Sequence, residues 1–303
     1  DDGTTVPVPN ESLVDVIAKN TALSTLAEAL EKADLKTTLE GSNLYTLFAP
    51  SNDAFSSFLS SKGFANVDAV PTATLRQILL NHVLPGRVEA SVFTNLQKNY
   101  IETSAEGPIT GTNLVMYFDA TGGLTLNGTV DVTQTDIIAS NGLVHITDAV
   151  IDLPTIKTFI SFDDNFADFD TALDLISPVS DIPNRLDQEE PLTVFVPSED
   201  AFINLLDTND DWNSLSDIDE ELLASVIAHH VLEGNIRSSA LSAGQSLPTL
   251  EGDSIELYNL DGNLEITDGT GTDGSIIGLT DIQAINGLIH IISNKVLLPD
   301  TTN

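Results

Sequence analysis

The chain has 303 residues, 41% of them hydrophobic, no cysteine, and 46 acidic against 11 basic residues, for a net charge of −35. Such a chain has material for two domain-sized cores and is too apolar to be disordered, and without thiols it has no disulfide, thiol nucleophile or cysteine-ligated zinc. Its field repels nucleic-acid phosphate and anionic lipid and draws cations and basic surfaces, and no apolar run reaches the ~18 residues of a membrane helix.

Residues 1–10 are polar with two prolines and read as an extended lead-in. Leu13, Val14, Val16 and Ile17 start a helical pattern, and Leu23, Leu26, Ala27 and Leu30 share one face of a second helix, for which Asn20 and Thr21 are candidate caps. Tyr45 to Ala49 reads as a short buried strand, Pro50 ends it, and Ser51 is positioned to cap the helix of Ala54, Phe55, Phe58 and Leu59. A further helix through Leu75, Ile78, Leu79 and His82 stops at Pro85-Gly86. From there the pattern turns strand-like, with a hairpin around Asp119-Ala-Thr-Gly-Gly123 and a closing strand after the Asn141-Gly142 turn. Pro154 ends this stretch, and the same order of elements begins again at Thr155. Helices precede strands, which predicts an α+β fold with antiparallel pairing.

The recurrence is explicit in three motifs. Thr46-Leu-Phe-Ala-Pro-Ser-Asn-Asp-Ala-Phe55 returns as Thr193-Val-Phe-Val-Pro-Ser-Glu-Asp-Ala-Phe202, with seven of ten positions identical. Ile78 to Gly86, ending His-Val-Leu-Pro-Gly, returns as Val226 to Gly234, and Asn141-Gly-Leu-Val-His-Ile146 returns as Asn286-Gly-Leu-Ile-His-Ile291. The offsets of 145 to 148 residues are domain-sized and too long for a solenoid unit.

These three motifs, twice and in register, resemble the fasciclin-type FAS1 domain. The resemblance covers nearly the whole chain: a lead-in over 1–10, FAS1-like domains over 11–154 and 155–299, and a tail over 300–303. It implies that each domain is a wedge-shaped antiparallel β-sandwich with a helical layer. It also implies a secreted or cell-surface adhesion or extracellular-matrix binding protein acting through tandem non-covalent modules. The implied partners are matrix or cell-surface proteins, glycans or other FAS1 domains. The chain starts at Asp1 and is expected to be a processed or trimmed fragment, with any export signal or lipid anchor outside it. Acid excess without cysteine further points to a bacterial surface protein.

Two family features map onto particular residues. Asp136-Ile137 and Asp281-Ile282 match the Asp-Ile that precedes the Asn-Gly turn, and the resemblance makes Asp136, Ile137, Asp281 and Ile282 the adhesion-contact candidates. The family's Tyr-His pair is Asn81-His82 and His229-His230 here. His82 and His230, lone histidines at an apolar helix end, read as buried imidazoles bonded to backbone and not as metal ligands. His145 and His290 read as strand histidines on the less apolar face. Asp53 and Asp200 sit in first helical turns, where a carboxylate complements the helix dipole, and Ser51 or Ser198 caps the same end. Asp268-Gly-Thr-Gly-Thr-Asp-Gly274 has the oxygen density of a calcium loop without the spacing of an EF-hand. It reads as a hairpin loop, with Asp268 and Asp273 the calcium candidates and no other cofactor expected. No catalytic constellation emerges. The alternatives to adhesion are a surface polysaccharide hydrolase, which needs a cleft with two carboxylates, or a small-ligand binding protein, which needs an enclosed apolar pocket.

Overall fold

The computed structural model describes residues 10–300, without the Asp273 side chain. Apart from Gly107–Thr110, the chain divides into two compact units between Leu153 and Pro154.

In the first unit, α1 (Leu13–Lys19), α2 (Ser24–Lys32) and α3 (Lys36–Glu40) precede β1 (Tyr45–Pro50). The helix starts are chemically specified. Ser12 and Asp15 form a reciprocal capping box at α1, and Asn20 accepts from the Ala22 amide at the turn before α2. Then come α4 (Asn52–Ser61), α5 (Thr72–Asn81), β2 (Val83–Pro85) and α6 (Ala90–Leu96). The strands β3 (Lys98–Glu106), β4 (Asn113–Asp119), β5 (Thr125–Leu126), β6 (Val130–Ala139) and β7 (Gly142–Thr147) complete the unit. Ser51 Oγ accepts from the Ala54 amide at 3.2 Å and starts α4 as its sequence predicts.

The second unit repeats this order: α7 (Ile156–Phe162), α8 (Ala167–Ile176), α9 (Ile182–Arg185), β8 (Leu192–Pro197), α10 (Glu199–Leu206), α11 (Glu220–Ala228) and β9 (Val231–Glu233). It ends with β10 (Ser246–Pro248), β11 (Ser254–Leu260), β12 (Asn263–Thr267), β13 (Asp273–Ile277), β14 (Ile282–Ala284) and β15 (Gly287–Ser293). One expected cap is missing. Ser198 has cap dihedrals, but its hydroxyl makes no bond to α10. Glu199 and Asp200 occupy that helix's first turn, where their charge suits the dipole. The Asp261-Gly262 turn between β11 and β12 has both residues at positive φ, 51° and 89°, the signature of a type I′ turn.

The strand orders are β2-β1-β7-β6-β5-β4-β3 and β10-β11-β12-β13-β15-β8-β9, with β14 paired to β15. All pairs are antiparallel except β1 with β7 and β8 with β15, which run parallel, one strand in from the end of each sheet. Each sheet is therefore mixed. The strand that opens the β part of each copy is paired with the strand that closes it, almost a hundred residues later.

That parallel pair is covered on both faces, which is why its residues are largely apolar without alternation. Leu47 and Ala49 pack into the helical core with Leu13, Ile17, Leu26, Leu79 and Val144. Phe48 turns the other way and packs with Leu84, Phe93, Met116 and Phe118. In the second unit Phe195 does the same with Leu232, Ile255, Leu257 and Ile266.

The Asn-Gly turns join helices to sheet. Asn141 Oδ1 accepts from the Leu13 amide at 2.8 Å, and its Nδ2 donates to the carbonyls of Leu39 at 2.7 Å and Gly41 at 3.0 Å. Asn286 repeats this with the Ile156 amide and the Leu186 and Gln188 carbonyls, each at 2.8 Å. The next residue has no room for a side chain. A Cβ on Gly142 would lie 1.9 Å from the Tyr45 carbonyl oxygen, and one on Gly287 1.9 Å from that of Leu192. Asn286→Ala removes the acceptor of the Ile156 amide and the side-chain donor to the Leu186 and Gln188 carbonyls, of which Leu186 keeps the Lys157 amide, and is expected to destabilise the second domain by about 3 kcal/mol. Gly287→Ala is expected to cost at least as much, by parting β8 from β15. Denaturant unfolding reads both, and wild-type stability in either variant would contradict the assignment.

Candidate functional site

Four histidines, all inaccessible to solvent, tie segments together within each of the two domains, and two of them bond the Asp-Ile residues. An amide can only donate and a carbonyl only accept, so the partners fix each tautomer. His82 donates from Nδ1 to the Ile78 carbonyl at 2.8 Å and accepts at Nε2 from the Ile151 amide at 2.8 Å. His230 repeats this with Val226 at 2.7 Å and Leu297 at 2.9 Å. Each imidazole thereby ties the end of a helix to the end of its domain. His145 and His290 hold the opposite tautomer. His145 donates from Nε2 to the Val88 carbonyl at 3.0 Å and accepts at Nδ1 from the Asp136 amide at 3.1 Å. His290 donates to Ile236 at 2.8 Å and accepts from the Asp281 amide at 3.3 Å.

His145 and His290 are not on a less apolar face, as strand alternation predicts. They lie in the interior against Phe48 and Phe195, with ring centroids 5.4 and 5.2 Å apart. Their acidic counterpart is the aspartate just before the Asn-Gly turn, and it is repeated in both copies.

Asp136 and Asp281 adopt left-handed backbone, with φ of 58° and 61°. This conformation turns the amide inward to the histidine while the carboxylate reaches across to another segment. Asp136 Oδ1 accepts from the Ala90 amide at 3.0 Å, at the first residue of α6. Asp281 accepts from the Ser238 amide at 2.9 Å and the Ser238 hydroxyl at 2.5 Å, with Arg237 at 3.5 Å. Burial alone would raise the Asp281 pKa, but the Ser238 bonds and the Arg237 charge hold it below the usual carboxylate range. The segments so anchored are themselves pinned by a buried threonine. Thr46 Oγ1 donates to the Gly86 carbonyl and accepts from Val88, and Thr193 does the same with Gly234 and Ile236.

The two copies differ in what they leave outside. Asp136 is exposed, Ile137 is half-buried against the helical core, and Ile138 is 43% exposed. In the second copy Asp281 is half-buried and Ile282 is 2% exposed, so Ile282 offers a partner almost no surface.

The fasciclin domain model matches residues 21–154 and again 167–299. The chain belongs to the fasciclin domain family. Among relatives, it is 28% identical over 271 residues to transforming growth factor-beta-induced protein ig-h3 of Sus scrofa, covering 88% of this chain and 36% of that protein. It is also 28% identical over 277 residues to human periostin, covering 89% of this chain and 30% of periostin. The chain thus spans about a third of the length of these curated relatives. Its fold matches that of a FAS1 domain pair from the insect cell adhesion molecule Fasciclin I, with a TM-score of 0.55 at 19% identity, over 92% of this chain and 98% of that one.

Other candidates of the fasciclin domains have structural employment. Asn81, in the Tyr position of the family's Tyr-His pair, is buried and donates to the Asp152 carbonyl at 3.0 Å. His229, its counterpart, accepts from the Gly269 amide at 3.2 Å and lies 3.6 Å from Glu251. Asp268 is buried, and its oxygens accept from the amides of Thr270, Thr272 and Leu298 and from the Thr270 hydroxyl. That loop is closed by its own backbone. The Asp273 side chain lies outside the described residues. Among the described residues no group of three or more His, Asp or Glu side chains is arranged to hold a metal ion.

Burial, opposed by the carbonyl bonds, lowers the pKa of His82 to about 4 and of His230 to about 3, from an ordinary 6.5. Both imidazoles are neutral in the folded protein, and protonating either would cost an amide its acceptor. The unfolded chain takes up these protons as pH falls below 6.5 while the folded chain does not. The contribution to stability is full above pH 6.5 and declines toward about pH 4 for His82 and about pH 3 for His230. Each such histidine adds about 1.4 kcal/mol per pH unit to the slope of unfolding free energy in its window. His230→Gln is therefore expected to reduce the slope between about pH 6 and pH 4 by that amount, as read by denaturant unfolding across pH. An unchanged slope would show that His230 already titrates in the fold.

Proposed function

We propose that this chain is an adhesion or extracellular-matrix binding protein, secreted or held at a cell surface, whose two fasciclin domains bind non-covalently to matrix proteins, cell-surface proteins or glycans, or to other fasciclin domains. The observation that carries this reading is the left-handed aspartate held in both copies by a buried histidine and an anchored neighbouring segment. Such a framework presents a fixed surface and supplies no nucleophile or proton-transfer pair. The relatives named above and the insect cell adhesion molecule support the same reading. Among the described residues no helix is long and apolar enough to cross a membrane.

Within this reading, Asp136 with Ile137 and the adjoining Ile138 form the contact edge of the first domain. Asp281 contributes a carboxylate edge in the second, while Ile282 acts by packing beneath it. Two modules on one chain raise avidity when a partner offers matching sites. Asp136→Gly keeps the left-handed backbone accessible while removing the carboxylate, and Ile138→Ser removes apolar contact area without touching the histidine bond. Combined with Asp281→Gly, these changes are expected to reduce attachment of cells or matrix to the immobilised protein at least tenfold while both domains stay folded by circular dichroism. Unchanged attachment would sink this contact assignment.

A further inference from the structure

The second domain carries an apolar cleft. A cleft of about 150 Å³ opens between α10 and α11, lined by Leu205, Trp212, Ile218, Leu222, Leu298 and Pro299 among others, with no ionisable side chain in its described lining. It adjoins a second cavity of about 370 Å³ that shares Leu205, Thr208 and Leu298 and also reaches Asp268 and Lys295.

The first domain shows what differs. Its framework histidine accepts from the Ile151 amide where His230 accepts from Leu297, so Asp152 and Leu298 are equivalent. Eight residues before each histidine, an exposed Thr74 stands where the second domain has Leu222. In the first domain a partly exposed Lys62 bridges Asp152 and Phe58 here. Its Nζ lies 5.9 Å above the Phe58 ring and 2.5 Å from the Asp152 carboxylate. The second domain has lost both halves of that pair and gained two leucines.

The charge around the open cleft has changed in the same direction. From Leu186 to Ile236 there is no lysine or arginine, against 13 acidic residues. Asp207, Asp210 and Asp211 lie exposed on the segment that carries Trp212, and Glu221 lies exposed beside Leu222. Residues 154–303 carry 28 acidic and 4 basic residues, −24 of the chain's −35.

We propose that this cleft is a docking site for a basic protein segment that inserts one large apolar side chain between α10 and α11 and sets lysines or arginines against the surrounding carboxylates. The ligand supplies in trans what Lys62 supplies in the first domain. An apolar anchor fills the cleft, and the acidic rim selects cationic flanks and speeds encounter. The inference rests on the adhesive reading only in taking the ligand to be a protein. The cleft belongs to the second domain and the Asp136 edge to the first.

Trp212 is the chain's one tryptophan and reports directly on the cleft. A capped pentapeptide with phenylalanine between two pairs of lysines is titrated into the full chain while tryptophan emission is followed. The expected result is a saturable change below about 1 mM that weakens as salt is raised. Replacing the peptide's phenylalanine with serine, or its lysines with glutamates, should weaken binding at least tenfold. So should Leu222→Thr, which restores the first domain's residue at a half-exposed position, and so should Asp210→Lys with Asp211→Lys. No saturable change, equal binding of the serine peptide, or undiminished binding to Leu222→Thr would each overturn the proposal. Cell or matrix attachment of the Asp136 variants is read independently, so failure of this site and failure of the adhesive reading are distinguishable.

Discussion

The architecture of each domain depends on one asparagine amide. Asn141 in the first copy and Asn286 in the second occupy the turn before the closing strand. From there each bonds the opening residue of the first helix and two carbonyls at or just past the end of the third. Helical layer and sheet are far apart in sequence, and apolar burial between them is non-directional. A buried amide that spends its oxygen and both hydrogens on three backbone groups supplies the missing direction. It fits only if the next residue lets the parallel strand approach, which is why glycine follows it twice.

Around this join the polar interior is used for register and not for chemistry. Two pairs of histidines in opposite tautomers, two threonines and two aspartates bridge segments that hydrophobic contacts alone would leave free to slide. Every such side chain is bonded to backbone, so each one specifies where a loop or strand end must lie. The surface is under no such constraint. The two copies share their interior bonds and differ outside, where one exposes Asp136 and Ile138 and the other opens an apolar cleft beside Trp212.

Much of this was legible in the sequence, because the repeated motifs are the ones with interior duties. The Pro-Ser-x-Asp-Ala-Phe segment, the histidine at the helix end and the Asn-Gly turn mark a strand end, a helix start and a layer join in both copies. What was not legible follows from long-range pairing. The parallel match of β1 with β7 leaves no local trace, since a strand covered on both faces reads the same whichever way its neighbour runs. His145 looks like a wet-face residue because alternation assumes that one face meets solvent, and β7 has no such face. β3 hides for the opposite reason: Lys98 to Glu106 contains charges and threonine, and only its pairing with β4 makes it a strand. The cleft of the second domain was invisible because Leu222 and Leu298, which both line it, become neighbours only in the fold.

The strand orders carry one more consequence. The strands that end each sheet are poor templates for another chain's backbone. β2, β9 and β10 have three residues each, and β2 and β10 finish on Pro85 and Pro248, which lack an amide hydrogen. β3 is longer but carries Lys98, Glu102 and Glu106. These are the devices by which sheet proteins discourage edge-to-edge growth. Side-chain contacts with another molecule can thus form without the main chains zipping into fibrils.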